Sequence, residues 1–273
     1  MSAPPPKPTK LGPGRTGFME WVNQHPKPNW RALPLTHITK GVVAEDVMRS
    51  GRIEPSDCST FDEPLAYFFY GRPAYRIAGH GVIKVEALCP FCFIFKPDLI
   101  DRAKAVHAFD TGAFSMRMYS NIVPDEMKPN DFRLPDASAA NQLISSVFGS
   151  ETAYFDGDTR NVTANPPVVH PHQFHAKAYL DLILSPGRNE PDDCIFTVEV
   201  VFGDPIPLSG SLLAVVLPHT LWSAGVKASW LESLAASSVK IVPYEFIPGR
   251  SAEHYHTLME RAVRIFYQDE GLL

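Results

Sequence analysis

The sequence predicts an α+β fold: one domain with mixed and antiparallel strands and flanking helices. Short strands alternate with helices at irregular intervals, which favours α+β over a regular parallel α/β fold. No internal repeat is present, and 273 residues with 45% hydrophobic content can bury a sizeable core. Residues 1–16 are rich in Pro, Lys and Gly and are predicted to be a disordered tail, which leaves 17–273 as the domain.

Helical and alternating apolar patterns divide the chain into elements. In the N-terminal half they predict helices over 18–22, 41–51 and 97–107, strands over 33–39, 65–70, 82–88 and 91–95, and a loop over 109–113. In the C-terminal half they predict helices over 137–148, 173–184, 230–236 and 251–267, strands over 195–202, 211–218 and 239–246, and loops over 156–167 and 185–193. Gly51 is the predicted stop of the second helix, because glycine adopts the left-handed conformation at little cost.

The charge balance and the cysteine content indicate the environment. Thirty acidic residues against 25 basic ones give a net charge of −5, and no lysine-rich block is present, so contact with nucleic acid would have to be local. Four cysteines without an evident signal peptide predict reduced thiols and a cytoplasmic location. No apolar run reaches the roughly 18 residues of a membrane span, so no membrane partner is expected.

An aromatic strand that ends in a turn is the most distinctive stretch. The run over 65–70 contains four consecutive aromatic residues, which suit a buried pleated surface, and a Gly-Arg-Pro turn follows it. Arg72 then lies at the end of a buried strand, between Tyr70 and Tyr75, where its guanidinium suits an anionic or oxygen-rich ligand. The alternative is an arginine that braces the loop against backbone carbonyls.

Polar residues also interrupt two apolar strands. Glu199 lies in the strand over 195–202, where a bare carboxylate is costly unless it is paired or faces a wet cleft. The alternative is an edge-strand side chain in solvent. His37 and Thr39 are two residues apart in the first strand, so both point to one face and could bind one ligand. The alternative there is a buried histidine with satisfied ring nitrogens.

Other motifs give weaker indications. The Cys-Pro-Phe-Cys run at 89–92 lacks a second ligand pair, and the histidine cluster at 170–175 lacks an acidic or Cys partner, so no metal site is expected. The Asp-Thr-Gly run at 110–112 resembles an aspartic-protease motif but has no second copy. The chain has no Walker loop, G-x-G-x-x-G or G-x-S-x-G, which argues against P-loop NTPases, Rossmann oxidoreductases and α/β-hydrolases.

Three short motifs occur in an order that resembles the ADP-ribosyltransferase superfamily. His-Ile-Thr at 37–39 comes first, the aromatic strand and arginine at 67–72 follow, and Thr-Val-Glu-Val-Val at 197–201 comes last. The set is most similar to the DarT group, toxins that ADP-ribosylate DNA. The resemblance covers roughly residues 33–218 and implies a fold with split sheets. The chain departs from that group in a longer segment between the last two motifs and in an additional C-terminal strand and helix.

The resemblance implies an enzyme that transfers ADP-ribose from NAD to a macromolecule and releases nicotinamide. Glu199 would be the catalytic carboxylate that stabilises an oxocarbenium-like transition state, and Arg72 would contact NAD or activate the acceptor. His37 and Thr39 would position the ribose hydroxyls. Aromatic contacts to NAD would come from Tyr67, Tyr70 and Tyr75. These roles require His37, Arg72 and Glu199 to meet in one cleft.

Two alternative functions remain open on the sequence alone. Water could be the acceptor, which would make the protein an NAD glycohydrolase, or the fold could bind a nucleotide or a protein without catalysis. The resemblance makes DNA the first candidate acceptor. The loop before Glu199 nevertheless contains one basic residue, Arg188, against three acidic ones, Glu190, Asp192 and Asp193. An acidic loop repels phosphates, which favours a protein or a small molecule over DNA or RNA.

Overall fold

A nine-stranded sheet forms the centre of the chain in the computed structural model, which describes residues 9–58, 60–74, 81–185, 195, 197–222, 229–235 and 237–273. The strands are β1 (Leu35–Lys40), β2 (Arg52–Ile53), β3 (Ser56–Cys58), β4 (Glu63–Tyr70), β5 (Val82–Ile83), β6 (Pro90–Phe95), β7 (Ala105–His107), β8 (Arg133–Leu134), β9 (Glu199–Phe202), β10 (Ile206–Pro207), β11 (Leu212–Pro218), β12 (Lys240–Tyr244) and β13 (Arg250–Ser251). The helices are α1 (Gly17–Val22), α2 (Gly41–Ser50), α3 (Thr111–Ser115), α4 (Ala137–Phe148), α5 (Glu151–Asp156), α6 (Arg160–Ala164), α7 (Phe174–Ile183), α8 (Ser229–Ala235) and α9 (Ala252–Asp269). Short 3-10 segments cover Glu86–Leu88, Pro97–Arg102, Pro129–Phe132 and His219–Leu221.

The main sheet combines parallel and antiparallel pairs. Its strand order is β12-β11-β6-β1-β4-β9-β7-β8, and β3 pairs with the start of β4. β11 and β12 run parallel, and the other pairs described in this sheet are antiparallel. Two separate ladders join β2 with β10 and β5 with β13. The prediction of a mixed chain, with both strand orientations in the sheet and flanking helices, is confirmed.

The ladder between β1 and β4 is short. β1 pairs with β6 at six positions but with β4 at only two, the second of which joins Thr36 to Phe69. The described backbone pairs between β1 and β4 end at Thr36. At the next residue a side chain contacts β4 instead, because His37 Nδ1 is hydrogen-bonded to the carbonyl oxygen of Tyr67 at 2.9 Å. The rest of β1 therefore diverges from β4.

The two faces of the sheet are covered differently. One face, which we call the core face, includes Leu35 and Phe68 and packs against α1, α4 and α7 in the main hydrophobic cluster. The opposite face, which we call the cavity face, includes Ile94, which packs under α9. Phe69 and Glu199 also lie on the cavity face, because cross-strand partners point to the same side of a sheet.

The helix predicted over 137–148 has the bounds observed for α4. Asp136 caps its N-terminus by accepting a hydrogen bond from the Ala139 amide, and Gly149 ends it in the left-handed conformation. The second helix likewise stops at Gly51, which has a φ of 70°. Both helices carry their boundary signals within the local sequence, which is why the sequence predicts them well.

Elements whose conformation depends on distant partners differ from the prediction. The helix predicted over 97–107 is a 3-10 segment followed by β7, and the loop predicted over 109–113 contains the start of α3. β7 is three residues long, and its ladders with β8 and β9 decide its conformation rather than its own propensity. The strand predicted over 82–88 is observed as the two-residue β5 followed by a 3-10 turn. Of the strand predicted over 195–202, β9 covers Glu199–Phe202. The loop predicted over 156–167 contains α6.

Residues 9–16 run along the body of the protein rather than forming part of a disordered tail. The amide of Thr9 donates a hydrogen bond to the carbonyl oxygen of Thr60, and that of Arg15 donates to Asp131 Oδ1. Leu11 packs onto a small apolar cluster that includes Phe61. The prediction of disorder is therefore wrong for residues 9–16, because these long-range bonds leave no mark on local composition. Residues 1–8 lie outside the described part of the chain.

Candidate active site

A cavity of about 390 Å³ lies on the cavity face where the ladder between β1 and β4 ends. Ile38 of β1, Tyr67 and Phe69 of β4 and Glu199 of β9 contribute to its wall. The other lining residues are Asp57, Cys58, Thr60, Ala74, Asp110 and Gly112. Its volume is within the range of about 300–1,000 Å³ that is usual for small-molecule sites.

Strand register explains why these side chains meet. Phe69 pairs with Glu199, and Glu199 pairs with His107 on the next strand, so the three side chains form one row on the cavity face. Tyr67 is two residues before Phe69 and therefore joins the same face. Ile38 reaches it as well, because it is two residues after Thr36, the partner of Phe69.

Glu199 is a buried carboxylate, with 1% of its surface exposed. Thr111 donates two hydrogen bonds to it, from its amide to Oε2 at 3.1 Å and from its hydroxyl to Oε1 at 2.6 Å. Burial raises the pKa of Glu199 well above its usual range, and the carboxylate of Asp110 adds to this effect. The bonds from Thr111 act in the opposite direction, because they stabilise the ionised form.

The neighbouring imidazole does not neutralise Glu199. His107 Nδ1 lies 3.7 Å from Glu199 Oε1, a distance at which an ion pair could form. However, burial lowers the pKa of His107 to about 3, with a further contribution from the charge of Arg133. His107 is therefore neutral at physiological pH, and its ring packs face to face with Phe61 at 5.6 Å. When Glu199 is ionised, its negative charge is therefore stabilised by hydrogen bonds and not by this histidine.

The Asp-Thr-Gly run at 110–112 shapes one wall of the cavity. Asp110 Oδ1 accepts a hydrogen bond from the Ala113 amide at 3.0 Å and thereby caps α3. Thr111, the first residue of α3, donates the two hydrogen bonds to Glu199, and Gly112 lines the cavity. The sequence does not predict Thr111 or His107 as site residues. The Asp-Thr-Gly run is visible as a motif, but it resembles a protease motif, and the contact of Thr111 with Glu199 joins residues 88 positions apart.

Tyr67, which the sequence predicts as a residue that contacts NAD, lines the cavity. Its hydroxyl and the thiol of Cys58 are hydrogen-bonded to each other at 2.5 Å, and both residues face the cavity. Burial raises the pKa of Tyr67, and the carboxylate of Glu199 raises it further, so the phenol is protonated. Tyr67 can therefore offer both an aromatic ring and a polar hydroxyl to a ligand. Its binding of NAD stays a prediction.

His37 and Thr39 do not lie on the face of Glu199, so the prediction that they share its cleft is wrong. They point to the core face, because their β6 partners Phe93 and Phe91 belong to the main hydrophobic cluster. The His37 ring lies 5.1 Å from the ring of Phe68, and burial lowers its pKa. Alternation correctly places His37 and Thr39 on one face, but only the pairing of strands decides which face that is.

Tyr70 is also a core-face residue and is not among the described residues that line the cavity, so its predicted contact with NAD stays a prediction. Its side chain is fully buried. The hydroxyl accepts a hydrogen bond from the Leu33 amide at 2.9 Å and donates one to Asn141 Oδ1 at 2.8 Å. It therefore joins α4 to the segment before β1. Tyr75, the third predicted tyrosine, lies outside the described residues.

Arg72 is not among the described residues that line the cavity. Its Nη2 lies 3.6 Å from Glu260 Oε1 on α9, with 13% of its side chain exposed. The turn that contains it is nevertheless adjacent to the cavity, because Phe69 before it and Ala74 after it are both lining residues. The structure thus brings Glu199 and Tyr67 together, whereas the side chain of Arg72 lies against α9.

Cys89 and Cys92 are buried free thiols, and burial raises the pKa of Cys89 to about 12. Among the residues that the structure describes, no group of three or more His, Cys, Asp or Glu side chains is arranged to hold a metal ion. No helix in the described ranges combines the length and the hydrophobicity of a membrane span.

Comparison of the chain with protein-family models, with curated proteins and with solved structures gave no match in any of the three. What the cavity can do chemically therefore follows from its own geometry and side chains.

Proposed function

We propose that the protein is an NAD-dependent ADP-ribosyltransferase with Glu199 as its catalytic carboxylate and a split-sheet fold of that superfamily. The observation that carries the proposal is a buried carboxylate in the wall of a ligand-sized cavity, where the ladder between β1 and β4 ends. Transfer of ADP-ribose requires such a group, because cleavage of an N-glycosidic bond passes through an oxocarbenium-like state. A fixed carboxylate beside the ribose stabilises the positive charge that develops there.

The charge of the cavity suits the nicotinamide end of NAD. Among the described residues that line it, the charged side chains are Asp57, Asp110 and Glu199, all of which are acidic. The nicotinamide ring of NAD is a cation, whereas its pyrophosphate is an anion. Tyr67 and Phe69 add aromatic rings, which attract organic cations. The nicotinamide riboside part is therefore expected to enter the cavity, with the pyrophosphate outside it.

Each proposed role follows from this orientation. The bond between ribose C1′ and the ring nitrogen breaks, its electron pair stays on the nitrogen, and neutral nicotinamide leaves. The carboxylate of Glu199 stabilises the electron-poor C1′ until the acceptor nucleophile attacks and loses its proton. Only the ionised form of Glu199 can do so. Since burial raises its pKa, the rate should rise with pH across the titration of this group.

Arg72 is proposed to contact the pyrophosphate. Its turn borders the cavity, and a guanidinium is suited to phosphate oxygens. In the free protein it lies against Glu260, whose pKa is raised by burial and lowered by the charge of Arg72. Binding of NAD would therefore exchange Glu260 for phosphate oxygens as the counter-charge of Arg72.

A product analysis tests the proposed function. The purified protein is incubated with NAD that is labelled in the adenosine part, together with a cell lysate, single-stranded DNA or RNA. Release of nicotinamide with label on protein or on a small molecule is expected, because an excess of acidic residues disfavours a polyanionic acceptor. Label on an oligonucleotide would move the acceptor to nucleic acid, and free ADP-ribose alone would indicate a glycohydrolase. Absence of both NAD cleavage and NAD binding would overturn the proposal.

A further inference from the structure

Thr111 contacts Glu199 through two separate donors. Its amide bonds to Oε2 at 3.1 Å and its hydroxyl bonds to Oε1 at 2.6 Å, so each carboxylate oxygen has its own donor. Two bonds to two oxygens fix both the direction and the plane of the carboxylate, which a single bond cannot do. Thr111 is fully buried, so water does not compete for these bonds.

The position of Thr111 is itself fixed by its neighbours. β7 pairs with β9 as far as His107 and Glu199, and the chain then turns back so that residue 111 lies over residue 199. Asp110 holds this turn, since its side chain accepts a hydrogen bond from the amide of Ala113. The two donors of Thr111 are therefore in place before any ligand arrives.

We propose that Thr111 is a positioning residue for Glu199: it holds the carboxylate towards the cavity and keeps it able to carry the negative charge that catalysis needs. The catalytic part of this inference rests on the proposed function, whereas the electrostatic part does not. Hydrogen bonds to an ionised carboxylate favour its charged form. Loss of the hydroxyl bond should therefore raise the pKa of Glu199 by about one to two units.

Substitutions at Thr111 separate this role from a merely structural one. Thr111→Val removes the hydroxyl and keeps the shape of the side chain, whereas Thr111→Ser keeps the hydroxyl. Thr111→Ala is a second variant that lacks the donor, in case the valine protein does not fold. Thr257→Val is the matched control, because the Thr257 hydroxyl donates a hydrogen bond to the carbonyl oxygen of Glu253 on the exposed side of α9, away from Glu199.

Two measurements test the proposal. The first follows the Glu199 side-chain carboxyl by ¹³C NMR as a function of pH, with Glu199→Gln to assign the signal. The second is the pH profile of NAD cleavage. In Thr111→Val the titration and the acid limb should move up together by about one to two units, so that kcat below the limb falls about 10- to 100-fold while KM changes little. Thr111→Ser and Thr257→Val should resemble the parent.

The two readouts also separate the possible failures. If the parent cleaves no NAD but the NMR titration still moves in Thr111→Val, the proposed function fails and the electrostatic role of Thr111 stands. If Glu199 titrates at the same pH in the parent and in the variants that lack the hydroxyl, the inference about Thr111 is overturned, whatever the activity.

Discussion

The core face and the cavity face of the sheet both bury polar side chains, but the surroundings of these side chains differ. On the core face, Tyr70 uses its hydroxyl to join Leu33 and Asn141, and His37 is bonded to the carbonyl oxygen of Tyr67. Both side chains therefore hold elements of the protein together. On the cavity face, Glu199 and Tyr67 border open space. Both sets of side chains are hydrogen-bonded within the protein, but Glu199 and Tyr67 also line the cavity, where a ligand can reach them.

The two faces also differ in the free-energy cost of burying their polar groups. Burial of a tyrosine hydroxyl with two good hydrogen bonds costs little, because the bonds offset the lost hydration. A buried carboxylate without a cationic partner costs stability even when it accepts hydrogen bonds. Glu199 has two bonds from Thr111 and a neutral histidine beside it. Such a costly arrangement next to a cavity is typical of functional sites.

The largest expected effect is that of Glu199→Gln on turnover. The swap removes the negative charge and nearly keeps the shape, so the rate of NAD cleavage should fall about 10²- to 10³-fold while the Kd of NAD changes little. Stopped assays of nicotinamide release measure the rate of NAD cleavage, and calorimetry measures the Kd of NAD. Glu45→Gln, on the exposed side of α2, is the matched control and should behave like the parent. If the activity of Glu199→Gln is within about threefold of the parent, Glu199 is not the catalytic carboxylate.

The paired variants Tyr70→Phe and Tyr67→Phe compare the two faces directly. Loss of the Tyr70 hydroxyl leaves the buried Leu33 amide without its partner and should lower the free energy of unfolding by about 1–3 kcal/mol. The Tyr67 hydroxyl bonds to a thiol beside the cavity, so Tyr67→Phe should destabilise less and weaken NAD binding more. Urea unfolding and NAD titration of both variants provide the test. The reverse ranking would contradict the distinction between the faces.

A smaller effect is expected in the pH dependence of stability. Since burial raises the pKa of Glu199, the stability that its protonated form contributes is fully present below its ordinary value of 4.5 and is lost as pH rises through the raised value. Glu199→Gln keeps a neutral side chain at every pH. The variant should therefore gain stability relative to the parent as pH rises from 4 to 8 in urea unfolding. A constant difference over that range would mean that Glu199 is not electrostatically costly.

The smallest expected effect concerns a ligand fragment. The N-methylnicotinamide cation and neutral nicotinamide have almost the same shape, and an acidic, aromatic cavity should prefer the cation at least about twofold. Added salt should reduce this preference, because it screens the carboxylates. Competition against NAD cleavage at low and high ionic strength measures it. Equal inhibition by both compounds at low salt would show that the charge of the cavity does not select the ring.

The sequence predicts the parts of this account that depend on local signals. Asp136 and Gly149 mark the ends of α4, and the alternation of β4 places Tyr67 and Phe69 on one face. It also indicates Glu199, because a carboxylate in an apolar strand is unusual. It does not predict which face His37 occupies, since that depends on pairing between β1, β4 and β6. Nor does it predict the bond between Thr111 and Glu199, whose residues are 88 positions apart.

The decisive experiment is a crystal structure of the Glu199→Gln protein with NAD, because slow turnover should preserve the bound substrate. The nicotinamide ring is expected between Tyr67 and Phe69, with the ribose within hydrogen-bonding distance of residue 199 and the pyrophosphate outside the cavity near Arg72. NAD bound on the core face near His37 and Tyr70, or an empty cavity at NAD concentrations that saturate the protein in solution, would overturn the assignment of this cavity as the NAD site.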